Sequence, residues 1–335
     1  MEIRKVQLTG GSSYVLTLPK EWIKALNVKK NDPLGLITQP DGTLLVTTRT
    51  TEVRPQRNKD IKVEELRDQT HLFRVLIAAY IMGYTTITLR SSGRMPAQVR
   101  ETVMKFSQMT IGPEVMEESP SSITIKDLLN PAEMPFDKTI RRMYILVRTM
   151  HEDAFTALEK RERALAEDVQ RRDMEINRLN WLAARQHSIM LSDVTLARRM
   201  GITLEDASHY FLIARILERI GDHGVRISRA VTQLLDKKLE KELYGSLKQA
   251  SKDSLELLNS SLESWFAQDI RRANESLDLL PVLISKVEQL NQAAQHVKSA
   301  TSIPVTDIGE SVRRTGEYAA DIAELVINNL VLKEK

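Results

Sequence analysis

Hydrophobic and polar positions change texture three times along this chain. Up to about residue 50 the apolar and β-branched residues come in short runs, "KVQLTGG", "SYVLTLP", "PLGLITQ" and "TLLVTT", separated by turn signals at 10–13, 31–33 and 40–42. These predict four short strands. Between the two pairs, "PKEWIKALNV" predicts one short helix with Pro19 in its first turn. A unit this small makes a poor core alone and predicts closure by a second copy. Over 51–135 a polar linker, "TEVRPQRNKD", precedes a helix "HLFRVLIAAYIMG" stopped by Gly83 and a strand "YTTITLRS". A helix "PAQVRETVMKFSQM" opened by Pro96 and a strand "SSITIKDLL" follow, predicting a small α+β layer in the order α-β-α-β. From 136 onward helical periodicity dominates, as at Tyr144, Val147, Ala154, Leu158 and Leu165. Breaks near Asp168, "GITLED", "DKKLEK", "AQDIRR" and "TSIPVTD" leave about six long helices. Thr203 and Asp206 have the spacing of a capping box opening the third.

The helical half repeats itself. "LAEDV" at 165–169 matches "FAQDI" at 266–270, and the same offset pairs Ile176 with Leu277, Leu179 with Leu280 and Asn177 with Asp278. Further on, "ERIGDHGVRI" matches "RRTGEYAADI", pairing Gly221 with Gly316 and Asp222 with Glu317. Two three-helix bundles side by side are expected, over 136–235 and 236–335.

Composition narrows the chemistry. The chain has 335 residues, 42% of them hydrophobic, 28% charged and only 5% aromatic, which suits a helix-rich multidomain protein. It has no cysteine, which removes disulfides, thiolate metal sites, iron–sulfur clusters and cysteine nucleophiles; any metal would need oxygen or imidazole ligands. Apolar runs such as "VLIAAYIMGY" fall short of a membrane span and no signal-peptide pattern opens the chain, so a cytoplasmic protein without membrane insertion is expected. A net charge of +3 is compatible with nucleic acid without being diagnostic of it.

Two stretches carry family resemblances. The tandem three-helix repeat, with "DMEIN" in its second helix and "ERIGDHGVRI" in its third, resembles PhoU, the phosphate-uptake regulator family. That implies coupling of phosphate status to a phosphate transporter and to phosphate-dependent transcription, and E-x-x-x-D helices able to bind iron or zinc. The N-terminal "RKVQLTGGSSYVLTLPKEWIKALNVKKNDPL" resembles a SpoVT-AbrB domain, implying a dimeric swapped-hairpin β-barrel that binds DNA. Asn31 stands where that family often has glycine, a tolerable change because asparagine accepts positive φ. The combination resembles the archaeal type of PhoU-related protein. The expected architecture is therefore a swapped-hairpin barrel over 1–50, an α+β linker domain over 51–135 and all-α tandem bundles after it.

The candidate residues follow. Glu218 and Asp222 stack on one helical face, and like charges there need a cationic partner. By the resemblance they join Asp173 and Asn177 as ligands of a divalent or ferric ion. The alternative is a solvated face on which Arg215, Arg219 and Arg226 neutralise the acids. In the second repeat Arg313 replaces the glutamate, so metal binding is expected to be lost or weakened at Asp278 and Glu317, while Asp321, one turn past Glu317, could restore an acidic pair. Arg4 and Lys5 on the first strand, with Lys20 and Lys24 on the short helix, are the expected contacts to double-stranded DNA. The stretch at 10–13 lacks the rest of a P-loop and reads as a turn. Trp181, Trp265 and Met190 read as packing residues. Neither His151 nor His187 has a ligand partner at helical spacing, and no nucleophilic triad can be assembled. A homodimeric, non-enzymatic phosphate-responsive regulator of transcription is expected. The alternatives are an adaptor docked on a phosphate transporter ATPase and a metal-dependent phosphatase.

Overall fold

The computed structural model describes residues 2–39, 42–48 and 56–333. The expected turn at Pro40 and Asp41 and the linker residues 51–55 lie outside them. The chain divides into two units, Met1–Pro55 and Gln56–Lys335.

In the first unit β1 (Gln7–Thr9) and β2 (Ser13–Val15) form an antiparallel hairpin across Gly10 and Gly11, whose φ angles of 62° and 84° lie in the left-handed region that favours glycine. Helix α1 (Lys20–Ala25) follows, with Pro19 as its N-cap, one position before the expected first turn. Asn31 takes φ 72°, the left-handed conformation its side chain tolerates. β3 (Gly35–Thr38) and β4 (Leu44–Thr47) form the second hairpin. The four strands and the helix match the polarity pattern. Within one chain they make two separate two-stranded sheets, and no closed barrel is present among the described residues. No residue from 2 to 48 is buried among those described.

The second unit begins with a layer: β5 (Asn58–Lys62), α2 (Gln69–Ile81), β6 (Thr86–Arg90), α3 (Ala97–Met109), β7 (Pro113–Glu118) and β8 (Ser122–Asp127). The sheet order is β5-β6-β8-β7, with β5 and β6 parallel and the other pairs antiparallel. Both helices and the β6 and β8 strands lie where the pattern put them. Two edge strands were not legible. β5 falls in the segment that reads as polar linker, because in "NKDIK" only Ile61 is buried. β7, "PEVMEE", is mostly exposed and acidic. Charge on an outer strand discourages pairing with other chains and also erases the apolar alternation.

Among the described residues seven helices complete the unit: α4 (Phe136–Lys160), α5 (Arg163–Ser192), α6 (Val194–Arg199), α7 (Leu204–Leu234), α8 (Lys241–Ala267), α9 (Ile270–Ala294) and α10 (Ser299–Lys333). Six are long. The capping box is present at α7, where the Thr203 hydroxyl accepts from the Asp206 amide at 3.0 Å. The first break lies at Arg161, not near Asp168. Arg161 and Gln268 close the two first helices with φ of 57° and 53°, so the α4–α5 and α8–α9 turns are equivalent. That equivalence moves the repeat register. A Cβ on Gly221 would stand 2.6 Å from Ile176 of α5, and one on Gly316 would collide with Leu283 of α9. Ile176 therefore corresponds to Leu283, not to Leu277. Each glycine seats a third helix against the second helix of its own repeat. The third helices α7 and α10 pack on one another, and each of the two large cores draws side chains from both repeats.

Candidate functional site

In the first repeat, α5 presents Asp173 and Asn177 to α7, which presents Glu218 and Asp222. The Asn177 amide donates to the Asp173 carboxylate at 2.8 Å. The other Asp173 oxygen is buried without a partner. Burial raises the Asp173 carboxyl above its usual range, and Asp222 raises it further; Asn177 and Arg229 oppose both. The Glu218 carboxyl is raised by burial, then by Asp222 and Asp173, against Arg215 and Arg219. The three carboxylates thus feel one another across the groove. Among the described residues no ion pair joins Arg215, Arg219 or Arg226 to them. Arg215 lies over the Phe211 ring at 5.9 Å and Arg219 over Tyr318 at 5.7 Å. The groove is acidic and under-compensated. Its oxygen donors are the type a hard cation takes, yet among the described residues no three His, Asp or Glu side chains converge closely enough to hold a metal ion.

His223 and His151 occupy the other side of α7. The His151 Nε2 lies 3.3 Å from the Ile220 carbonyl, its ring packs on Gly224, and His223 sits 5.8 Å from the Tyr318 ring. Both Nδ1 atoms are buried and unpartnered. Sequence spacing gave His151 no partner because the neighbouring histidine comes from another helix.

In the N-terminal unit Lys5, Lys20 and Lys24 are exposed, the last two a helical turn apart on α1. Arg4 is partly covered; it pairs with Glu2 and donates to the Thr17 hydroxyl at 2.9 Å. Arg4 and Lys5 precede β1 instead of lying on it. Around this basic set stand large exposed apolar side chains, among them Ile3 (82% exposed), Tyr14 (79%), Leu8 (62%) and Leu36 (63%).

Comparisons with known proteins divide along the same lines. Residues 7–59 match the family described as "Antidote-toxin recognition MazE, bacterial antitoxin", and residues 140–231 match the PhoU domain. No curated protein gives a match. Among solved structures, the phosphate transport system regulatory protein PhoU from Streptococcus pneumoniae superposes at TM-score 0.50 and 22% identity, over 59% of this chain and 94% of its own. PhoU from Pseudomonas aeruginosa does so at TM-score 0.50 and 21% identity, over 59% and 96%. The helical body has the PhoU fold. Its matched domain, 140–231, holds all four residues of the acidic groove.

The second repeat of the PhoU body lacks that groove. In the corrected register Leu280 stands at the place of Asp173 and Ile284 at that of Asn177. Asp278, the expected counterpart, is exposed on α9. Arg313 pairs with Glu317 and, at 2.7 Å, with Glu310. Burial and Glu324 raise the Asp321 carboxyl, Glu317 adds to this, and Arg219 of the first repeat opposes them.

One buried attachment in the helical body has no signature in the local sequence. Arg185 of α5 is buried with Asp127, the last residue of β8, at 2.5 Å. Its guanidinium also donates to the Tyr84 carbonyl at 3.0 Å and lies 4.6 Å from the Tyr80 ring. The next residue, Gln186, donates to the carbonyls of Pro131 and Met134 at 2.8 and 2.6 Å. Together they fasten the α+β layer to α5. Nothing in the local pattern of either segment announces a contact between residues so far apart in sequence.

Proposed function

We propose that this chain is a phosphate-responsive regulator that binds double-stranded DNA as a homodimer through its N-terminal unit. The PhoU body would carry phosphate status through a partner such as a phosphate transporter ATPase. The fold of the body and the PhoU-domain match support the regulatory half. The observation carrying the DNA half is the coreless N-terminal unit, with exposed apolar side chains beside Lys5, Lys20 and Lys24. A second copy would bury the apolar side chains and double the charge available to phosphates. The reading assigns no catalysis to the chain. Any iron or zinc would enter at Asp173, Asn177, Glu218 and Asp222, where the donor type suits a hard cation but the spacing does not form a closed ligand set.

The test is a titration of the full-length chain with duplex from upstream of its own genome's phosphate-transport genes, against a scrambled duplex, over a salt series. A chain starting at Gln56 is the control. Affinity should fall log-linearly with salt, Lys20→Ala and Lys24→Ala should each reduce the slope by about one unit, and the shortened chain should not bind. Equal binding by the shortened chain, or none by the full chain at low salt with or without phosphate, would sink the DNA half and leave a protein adaptor.

A further inference from the structure

Three connections of the α+β layer meet at one end of its sheet. Because β5 and β6 are parallel, their C-terminal ends share an edge. There the segment after β5 carrying Glu64, the β6–α3 loop at 91–96 and the β7–β8 turn at 119–121 come together. The Ser91 amide donates to the Ser121 carbonyl at 2.8 Å and the Met95 amide to that of Pro120 at 2.7 Å. Between the last two of these segments opens a cavity of about 750 Å³, lined by Ser92, Arg94, Arg100, Glu118, Ser119 and Ser121 among others, with the Glu64 segment bonded to Ser92 at its rim. In open α/β sheets the crevice beyond the carboxyl ends of parallel strands is where ligands bind.

The groups gathered there suit an oxyanion: serine hydroxyls, a backbone N–H and two guanidinium groups. The loop already holds one anion, supplied by the chain itself. A single Glu64 oxygen accepts from the Ser92 amide at 2.7 Å, the Ser92 hydroxyl at 2.9 Å and the Ser91 hydroxyl at 3.0 Å. These donors, the Ser92 amide first, hold the Glu64 carboxyl at about 2. Arg100 is paired with Glu118, whereas Arg94 is exposed and has no ion-pair partner among the described residues.

We propose that this end of the layer binds a phosphate group, free or at the terminus of a small phosphorylated metabolite. Arg94 is its main cation, and the Glu64 carboxylate competes with it for Ser91 and Ser92. Glu64 and Arg94 stand at the solvent edge, so exchange of the internal anion for an external one requires no repacking of the sheet. A phosphate dianion offers three terminal oxygens and more charge than the carboxylate it displaces, which favours it over acetate. The site is separate from the acidic groove and does not rest on DNA binding.

The experiment is calorimetric titration of the full-length chain, without DNA, using inorganic phosphate, a nucleoside monophosphate and acetate as probes. Arg94→Gln should weaken phosphate binding roughly tenfold, the loss of one charge-assisted contact. Glu64→Gln should strengthen it several-fold, a gain no general loosening of the fold would produce. Matching thermal melts of the three proteins would verify folding. Tighter binding of the nucleoside monophosphate marks a metabolite as the source, and equal binding marks free phosphate. The proposal is overturned if phosphate binds no better than acetate, or if both variants bind phosphate as the parent does. DNA binding, read separately, is untouched by either result.

Discussion

His151 of α4 and His223 of α7 are buried within each other's electrostatic reach, each with an unpartnered Nδ1. Burial holds both rings at about 4, well below the ordinary histidine value; Arg226, His151 and Arg314 add to the depression at His223. A pKa depressed on folding means that the unfolded chain binds more protons between pH 6.5 and about 4. The stability tied to neutral rings is therefore complete above 6.5 and is lost as the pH falls toward 4. Asp173 and Glu218 work in the opposite direction, since their raised carboxyls take up protons on folding and relieve the groove on acidification. We expect melting temperatures to fall between pH 6.5 and 4, and His151→Gln to flatten that dependence whatever it does at pH 8. An unchanged slope would assign the acid sensitivity elsewhere. Asp173 and Asn177 were expected only through the resemblance to PhoU, whereas Glu218 and Asp222 were legible as a pair because helical spacing stacks them on one face. The buried histidine pair was not, because no local spacing relates α4 to α7.

Elements built from strong periodicity were legible in kind, though the first break among the long helices lay at Arg161 and not near Asp168, and those whose outer face dominates were not legible. α2, α3 and β8 each carry a full apolar stripe, whereas β5 and β7 lie at the sheet edges and read as polar. The repeat was legible but its register was not, because apolar positions recur so often along a helix that several offsets give a match. The two left-handed turn residues and the two glycines fix it. They also make a prediction about helix packing. Gly221→Val places two methyl groups where Ile176 stands and should cost about 1–3 kcal/mol by overpacking. Ile176→Ala in the same chain should recover part of that loss, read as a coupling term in denaturant unfolding. Strict additivity of the two changes would show that α5 and α7 do not meet at Gly221.

At the scale of the whole second unit, the two repeats share cores and the α+β layer is fastened to α5. Buried charge makes that attachment sensitive to loss of either partner. Arg185→Ala leaves Asp127 buried without its cation and should destabilise the unit by about 3–5 kcal/mol. Amide exchange should rise first around β8 and the end of α2, ahead of α8 and α9. Uniform loss of protection through all the helices would mean that the layer and the bundles unfold together. The overall order of strand-rich segment, mixed layer and helical repeats was legible from polarity alone. The fused cores were not, since the pattern within one helix does not say which neighbour takes each face.

Because no residue is buried among those described between 2 and 48, mass action governs this segment. In the proposed dimer the segment gains its interior only from another copy of itself, so it would have no fixed stability of its own and its folded fraction would depend on how many chains are present. Its melting point should climb with protein concentration while that of the 56–333 unit stays put. On the proposed DNA-binding reading, occupancy of a promoter would rise more steeply than the abundance of the chain. The amount of the protein would then be a signal in its own right, alongside any phosphate-linked one.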